Sequence, residues 1–311
     1  MIYKKILFYA LIAALVGIGG YQLLKANSKV DGKVMGAAIN SVYGEKVIAA
    51  RKPPQRKSDV DDPKIYAQSA ALIDKETKYP LYSKGADNAV PIASVTKVMT
   101  AIVSLDTYKL DEVIEVKQES AEVEGSKIDL VPGEKISVEN LLYGLLMNSG
   151  NDAAKTLANG RGSEENFVAA MNKKAEELGL RNTKYYDPAG LNDQGHSSAF
   201  DVAVLFSYAI QNETFVKIVN TPEKDISSQD LSVHHQLKSS NRLINGEMPF
   251  EGVIGGKTGY TPDAGHSLVC AASKGGHTLI SVILKTDSSA KEASAQETQK
   301  LLAWGFESFV F

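Results

Sequence analysis

Between Ile65 and Phe311 the strand-like segments lie at the two ends and the helix-like segments in the middle, and that order limits the possible folds more than any other feature. Ala67 to Asp74 reads as a strand. A turn through Lys75-Glu76-Thr77-Lys78 leads to a second short strand around Leu81-Tyr82. Helical spacing then takes over. Ser94 to Leu105 is a buried helix. Ser137 caps Val138 to Met147, whose Val138, Leu141, Leu142, Leu145 and Leu146 share one face. Ser163 to Leu178 forms another, stopped by Gly179. Ser198-Ala199-Phe200-Asp201 resembles a capping box, with Asp in place of Glu, opening a helix to about Gln211. Strand patterns return at Val253-Ile254, Ser267 to Ala272 and Thr278 to Leu284. Their connections are too short for crossovers, so they pair antiparallel. Ser289-Ala290-Lys291-Glu292 caps a last helix that runs to about Phe311. The expected fold is a split α+β domain. Both chain ends build one antiparallel sheet, and a central helical lobe leaves a cleft beside it.

Before this domain the chain changes character twice. Residues 1–26 carry Lys4 and Lys5, then 19 uncharged residues from Ile6 to Leu24. As a helix these span roughly 28 Å, close to the hydrocarbon thickness. A cleaved signal peptide competes with this reading, but Leu24-Lys25-Ala26 is a poor cleavage site. The expectation is a membrane anchor with the bulk of the chain on the extracytoplasmic side, or a secreted protein if the leader is cleaved. Residues 27–63 read as a linker. They include the run Arg51-Lys52-Pro53-Pro54-Gln55-Arg56-Lys57, taken as solvated. Residues 64–311 read as one continuous domain.

Composition removes several functions. Of 311 residues 43% are hydrophobic and 23% charged, so the chain is not disordered as a whole. A net charge of −3 gives no basic footprint for nucleic acid. The single Cys270 excludes an intrachain disulfide and a cysteine zinc site. His234-His235 lacks zinc spacing, and His196, His266 and His277 stand alone, so these read as surface or supporting histidines. Cys270 reads as core. No phosphate-cradling loop occurs.

Chemistry concentrates in three short motifs. In Ser94-Val95-Thr96-Lys97 the residues i and i+3 share a helical face, so the serine hydroxyl and lysine amine can meet. Alone this is better explained by an ordinary N-cap with a solvated lysine. The apolar residues around Lys97, however, make it a lysine that needs a reason. Ser149-Gly150-Asn151 follows the end of an amphipathic helix, where a helix-stopping turn is the plain alternative. Lys257-Thr258-Gly259 follows Gly255-Gly256 in a strand, where glycine marks close approach of another backbone or a ligand. Ser149 lies 55 residues after Ser94, and Lys257 lies 108 after Ser149.

In that order, S-x-x-K, S-D-N and K-T-G mark penicillin-binding proteins and class A β-lactamases. Gly150 departs from the middle pattern, while Ser149 and Asn151 are kept. From about Ile65 to Phe311 the chain resembles low-molecular-weight penicillin-binding proteins, the serine-type D-alanyl-D-alanine carboxypeptidases. Pro91-Ile92-Ala93-Ser94, Asn148 to Ala154, Gly162 to Phe167, Ala189-Gly190-Leu191, Asn241-Arg242-Leu243 and Gly255 to Thr261 carry the likeness, together with Leu301 to Phe306. Many relatives continue into a C-terminal β-domain and an amphipathic anchoring helix. This chain stops at Phe311, which adds weight to an N-terminal anchor.

The resemblance implies a β-lactamase/DD-peptidase-like fold and a set of roles. Ser94 is the nucleophile, Lys97 its base and Ser149 the proton relay to the leaving amine. Asn151 holds a substrate amide and Lys97. Lys257 and Thr258 bind the substrate's terminal carboxylate. Gly259 belongs to the same binding strand, and the backbone N–H groups of Ser94 and Tyr260 form the oxyanion hole. The implied substrate is the peptidoglycan stem peptide ending in D-Ala-D-Ala, with β-lactams as covalent inhibitors. No metal or organic cofactor is implied. Three alternatives stay open: a β-lactamase, an endopeptidase or transpeptidase on the same site, and a non-catalytic wall-binding scaffold. Class A β-lactamases deacylate with a glutamate, and no glutamate between the second and third motifs heads an E-x-x-x-N.

Overall fold

The computed structural model describes residues 52–286 and 290–311; the expectations for residues 1–51 and for Ser289 lie outside them. The chain begins with β1 (Gln55–Arg56), β2 (Ser69–Asp74), β3 (Pro80–Lys84) and β4 (Val90–Pro91). A 3-10 turn, Ala93–Thr96, runs directly into α1 (Lys97–Thr107). The middle of the chain holds β5 (Val113–Glu115), α2 (Gln118–Ala121), β6 (Lys135–Ser137), α3 (Val138–Met147), α4 (Asn151–Asn159) and α5 (Glu164–Glu177). It continues through β7 (His196–Ser197), α6 (Ala199–Ala209), α7 (Glu213–Val219), β8 (Glu223–Ser227) and β9 (His234–Lys238). It closes with β10 (Val253–Gly259), β11 (His266–Lys274), β12 (His277–Thr286), α8 (Ala293–Ser308) and β13 (Phe309–Val310).

The main sheet has five strands in the order β10-β11-β12-β2-β3, antiparallel throughout. Both chain ends meet at the β12–β2 seam, where Val282 faces Ala71, as the strand-helix-strand order requires. Both faces of the sheet are covered. Leu72, Leu279 and Ile283 pack with Leu301, Leu302 and Trp304 of α8. Ala71, Ile73, Ile280 and Val282 pack on the other side with Val98, Met99, Val202 and Phe206 of α1 and α6. Double burial explains why β2 is buried at every position and shows no polar alternation.

The helical lobe follows its caps. Ser137 Oγ accepts from Asn140 N at 3.2 Å, Ser163 Oγ from Asn166 N at 3.3 Å and Ser198 Oγ from Asp201 N at 3.1 Å. Gly179, at φ 71°, ends α5. The reciprocal half of the capping box at Ser198 is replaced. The Asp201 carboxylate instead accepts from Asn182 N and Thr183 Oγ1, tying the preceding loop to α6.

Two boundaries differ from expectation. The last helix starts at Ala293 without a side-chain cap and ends at Ser308, where Phe309 turns extended at φ −122° and ψ 153°. The expected linker over residues 27–63 ends earlier, because β1 pairs with β13. The Arg56 guanidinium lies 5.3 Å from the centre of the Trp304 ring and pairs with Asp62, while Trp304 Nε1 donates to Asp61 O at 2.8 Å. Lys57 Nζ donates to Glu307 O at 2.6 Å. Part of the basic run is therefore held on α8 by an aromatic ring and backbone carbonyls.

Helix α8 approaches the sheet most closely at Gly305, where a Cβ would overlap the Leu72 side chain and lie 2.8 Å from Leu279 Cδ1. Gly305→Val should overpack this layer and lower unfolding stability by about 1–3 kcal/mol, read as a lower urea midpoint at unchanged slope.

Candidate active site

Ser94 sits half-buried in the 3-10 turn between the left-handed Ala93 (φ 46°) and α1. Three residues on, Lys97 opens α1 and is wholly buried. Its Nζ lies 2.8 Å from Ser94 Oγ, 2.7 Å from Asn151 Oδ1 and 2.7 Å from Ala189 O. The i, i+3 spacing therefore does bring hydroxyl and amine together. The Asn151 amide is oriented independently, because its Nδ2 donates to Glu124 O at 2.7 Å, which leaves Oδ1 for Lys97.

This geometry constrains protons. Asn151 Oδ1 and Ala189 O can only accept. A neutral Lys97 amine has two N–H bonds for these two partners. Its lone pair is then left for the Ser94 hydroxyl, which can donate. Burial pushes Lys97 in that direction, from 10.5 down to about 7, against the opposing charges of Asp187 and Asp152.

The second motif fills the turn between α3 and α4. Ser149 is left-handed there (φ 61°), so the serine, and not Gly150, makes the sharp bend. Lys257 Nζ donates to Ser149 Oγ at 2.9 Å and to Thr258 O at 2.8 Å. Lys257 is also buried, and burial, then repulsion from Lys97, holds its pKa well below the usual lysine range. It comes from β10, an edge strand of the main sheet. At Gly259 a Cβ would stand 2.7 Å from Ile92 O and 3.1 Å from Val95 N, so the end of β10 abuts the turn that carries Ser94. The next residue, Tyr260, is exposed and stacks on His266 with ring centres 4.3 Å apart.

A family model for D-alanyl-D-alanine carboxypeptidases, peptidase family S11, matches residues 56–288. The chain belongs to that family. It is 38% identical over 250 residues to D-alanyl-D-alanine carboxypeptidase DacF of Bacillus subtilis, covering 78% of this chain and 63% of the relative, under two thirds of its length. It is 36% identical over 225 residues to a D-alanyl-D-alanine endopeptidase of Pseudomonas aeruginosa, covering 71% of this chain and 72% of the relative. The solved Streptomyces K15 DD-transpeptidase superposes with a TM-score of 0.74 at 32% identity, covering 80% of this chain and all of that one. The expected β-lactamase/DD-peptidase-like fold is the fold observed.

Within this D-alanyl-D-alanine carboxypeptidase fold the hydrogen bonds form two groups, Lys97 with Ser94 and Asn151, and Lys257 with Ser149, and Ser149 stands two residues before Asn151 in the chain. Gly259 places the end of β10 against the turn that carries Ser94. Thr258 Oγ1 pairs with Ser240 Oγ at 2.7 Å. Sequence reasoning assigned no part to Ser240. It also missed Asp187. That carboxylate accepts from Ala189 N at 2.7 Å, Gly190 N at 2.6 Å, Leu191 N at 3.2 Å and Asn192 N at 2.8 Å. It thereby folds the loop that delivers Ala189 O to Lys97. Gly190 (φ 77°) is required in this loop, since a Cβ would overlap Ala93 O. Asp187-Pro188 is a turn-forming dipeptide and was the available signal. Among the described residues no group of three or more metal-ligating side chains occurs.

The lysine state sets a pH dependence. A protonated Lys97 has no lone pair, and its neutral fraction grows as pH rises through about 7. Acylation by a fluorescent penicillin should fall roughly tenfold per unit as pH drops below that value. A rate flat from pH 5 to pH 8 would contradict the assignment.

Proposed function

We propose that this chain is a serine D-alanyl-D-alanine carboxypeptidase that removes the terminal D-Ala from peptidoglycan stem peptides through an acyl-enzyme on Ser94. The observation that carries the reading is the set of three contacts at Lys97 Nζ, two to pure acceptors and one to the Ser94 hydroxyl. Ser94 Oγ attacks the carbonyl carbon of the penultimate D-Ala, and its proton passes to Lys97. The developing oxyanion is met by the backbone N–H groups of Ser94 and Tyr260. Ser149, bonded to Lys257, gives its hydroxyl proton to the departing amine of D-Ala and takes in its place the proton that Lys97 received, which returns Lys97 to the neutral amine. The peptide bond breaks and the shortened peptide stays esterified to Ser94. Water then attacks the ester, Lys97 again takes a proton, and Ser94 leaves as a hydroxyl. Lys257 and Thr258 bind the terminal carboxylate before bond cleavage. The free edge of β10 offers backbone groups to an extended peptide.

The β-lactamase reading needs a carboxylate free to activate water. The carboxylates that act on Lys97, those of Asp187 and Asp152, are engaged by backbone N–H groups. The related endopeptidase and transpeptidase differ in name from the carboxypeptidase in the bond cut or the acyl acceptor, which leaves Ser94 chemistry common to all three.

One assay series tests the reading. Full-length protein incubated with a stem pentapeptide should release D-alanine, and Ser94→Ala should release none. Lys97→Arg should lose at least about a hundredfold, because a guanidinium stays protonated. Lys257→Arg should keep a measurable rate, because a carboxylate site needs charge and not proton transfer. Equal loss in both lysine variants would overturn the division of roles.

The leader supports placement at the cell membrane with the domain outside. An uncleaved anchor should resist high-salt and alkaline washes, being held by apolar burial. N-terminal sequencing from the native host decides the point, since a start between Gly20 and Val30 with activity in the medium would establish release.

A further inference from the structure

The helical lobe holds a second buried ionisable pair that the reaction above does not use. His235 of β9 places Nε2 2.8 Å from Glu134 Oε1 and Nδ1 2.8 Å from Ile128 O, with side chains 4% and 0% exposed for His235 and Glu134. The Ile128 carbonyl has no proton to give. The other Glu134 oxygen accepts from Val131 N at 3.0 Å. Both ring nitrogens thus face acceptors, an arrangement satisfied when the ring carries two protons.

Ile128 and Glu134 belong to the segment 124–134, and this segment is what holds Asn151. Glu124 O accepts from Asn151 Nδ2 at 2.7 Å and Ser126 O from Asn151 N at 2.8 Å. Ile128 N and Leu130 N both donate to the Asp152 carboxylate, at 3.1 Å to its Oδ2. The Ile128 side chain lies 3.2 Å from where a Gly150 Cβ would stand. The contacts therefore run without a gap from the His235 ring through 124–134 to Asn151 Oδ1 and Lys97 Nζ.

We propose that His235, paired with Glu134, is a positioning residue for the reaction: as an imidazolium it clamps the 124–134 segment, which orients the Asn151 amide that sets the Lys97 amine. The inference rests on the reading of Lys97 as the base. The charged groups facing the ring are Glu134, from the segment before β6, and Asp152, from α4. The paired position on β8 is Ile226. The hydrogen bond with Glu134 raises the His235 pKa above the usual histidine value, against the opposing effect of burial. A raised value keeps the clamp intact at lower pH and releases it as pH rises through that value. Acylation should therefore decline as pH rises through the His235 value, opposing the rise due to Lys97.

The test uses the full-length chain labelled with nitrogen-15. His235 ring and Asn151 side-chain amide resonances are followed by NMR across pH 6–10, and acylation by fluorescent penicillin is timed over the same range. In the wild type the Asn151 amide should shift with the same midpoint as the His235 ring. Glu134→Gln should lower that midpoint and move the decline with it. His235→Gln should abolish the Asn151 titration and slow acylation roughly 10- to 100-fold, with little change in reversible penicillin binding. If His235→Gln fails to fold, Glu134→Gln, which keeps the ring and its packing, carries the same prediction. An Asn151 amide indifferent to the His235 titration, or a Glu134→Gln profile identical to wild type, overturns the proposal. If Asn151 follows His235 but Lys97→Arg acylates normally, the positioning stands and the reading of Lys97 is what fails.

Discussion

Everything around Ser94 is arranged by the need to keep one amine dry. Lys97 is wholly buried, and the partners of its Nζ come from three separate pieces of chain. Ser94 comes from the turn before α1, Asn151 from the start of α4, and Ala189 from the loop folded on Asp187. Burial disfavours the charged amine and so favours the neutral form that the proposed base role needs. Nearby carboxylates work against this, but their lone pairs are already occupied by backbone N–H groups. Asp187 takes four such bonds and Asp152 takes bonds from Ile128, Leu130 and Ala153. These carboxylates hold loops together while they temper the lysine.

The second buried lysine sets a proton order. Burial lowers the proton affinity of both Lys97 and Lys257, and repulsion from Lys97 lowers it further at Lys257. In the proposed reaction a substrate carboxylate arriving at Lys257 would favour a proton there. With that charge in place, repulsion would keep Lys97 neutral. Substrate binding and activation of the base would thus be linked by the repulsion between the two amines.

What the sequence discloses and what it conceals divide along a physical line. The three motifs and the serine caps were legible because each is a local pattern: a hydroxyl and an amine one turn apart, or an oxygen three residues before an N–H. The sheet was legible from apolar runs at the two chain ends. The Asp187 loop and the 124–134 segment were not, since their bonds run mostly to backbone groups and Asp187-Pro188 signals a turn without naming its partners. Ser240 was missed because its partner Thr258 lies on another element. The two-residue strands β1 and β13 are too short to show a period, so Gln55–Arg56 passed for linker and Phe309 for a continuing helix. His235 passed for a surface or supporting histidine, because Glu134 lies far from it in the chain.

The two serine hydroxyls share one more feature. Ala93, just before Ser94, and Ser149 itself occupy left-handed backbone without being glycine, at φ 46° and 61°. Such a conformation costs an ordinary residue about 1 kcal/mol. Surrounding bonds hold it in both places. Gly190 closes over Ala93 O, and Gly150 N donates to Gly144 O at 3.0 Å beside Ser149. Glycine at either site would relieve the strain but would also free the backbone to sample other turns. A strained, over-determined turn sets the direction of a hydroxyl by the backbone itself. It leaves the side chain only the short swing from Lys97 or Lys257 toward a bound peptide.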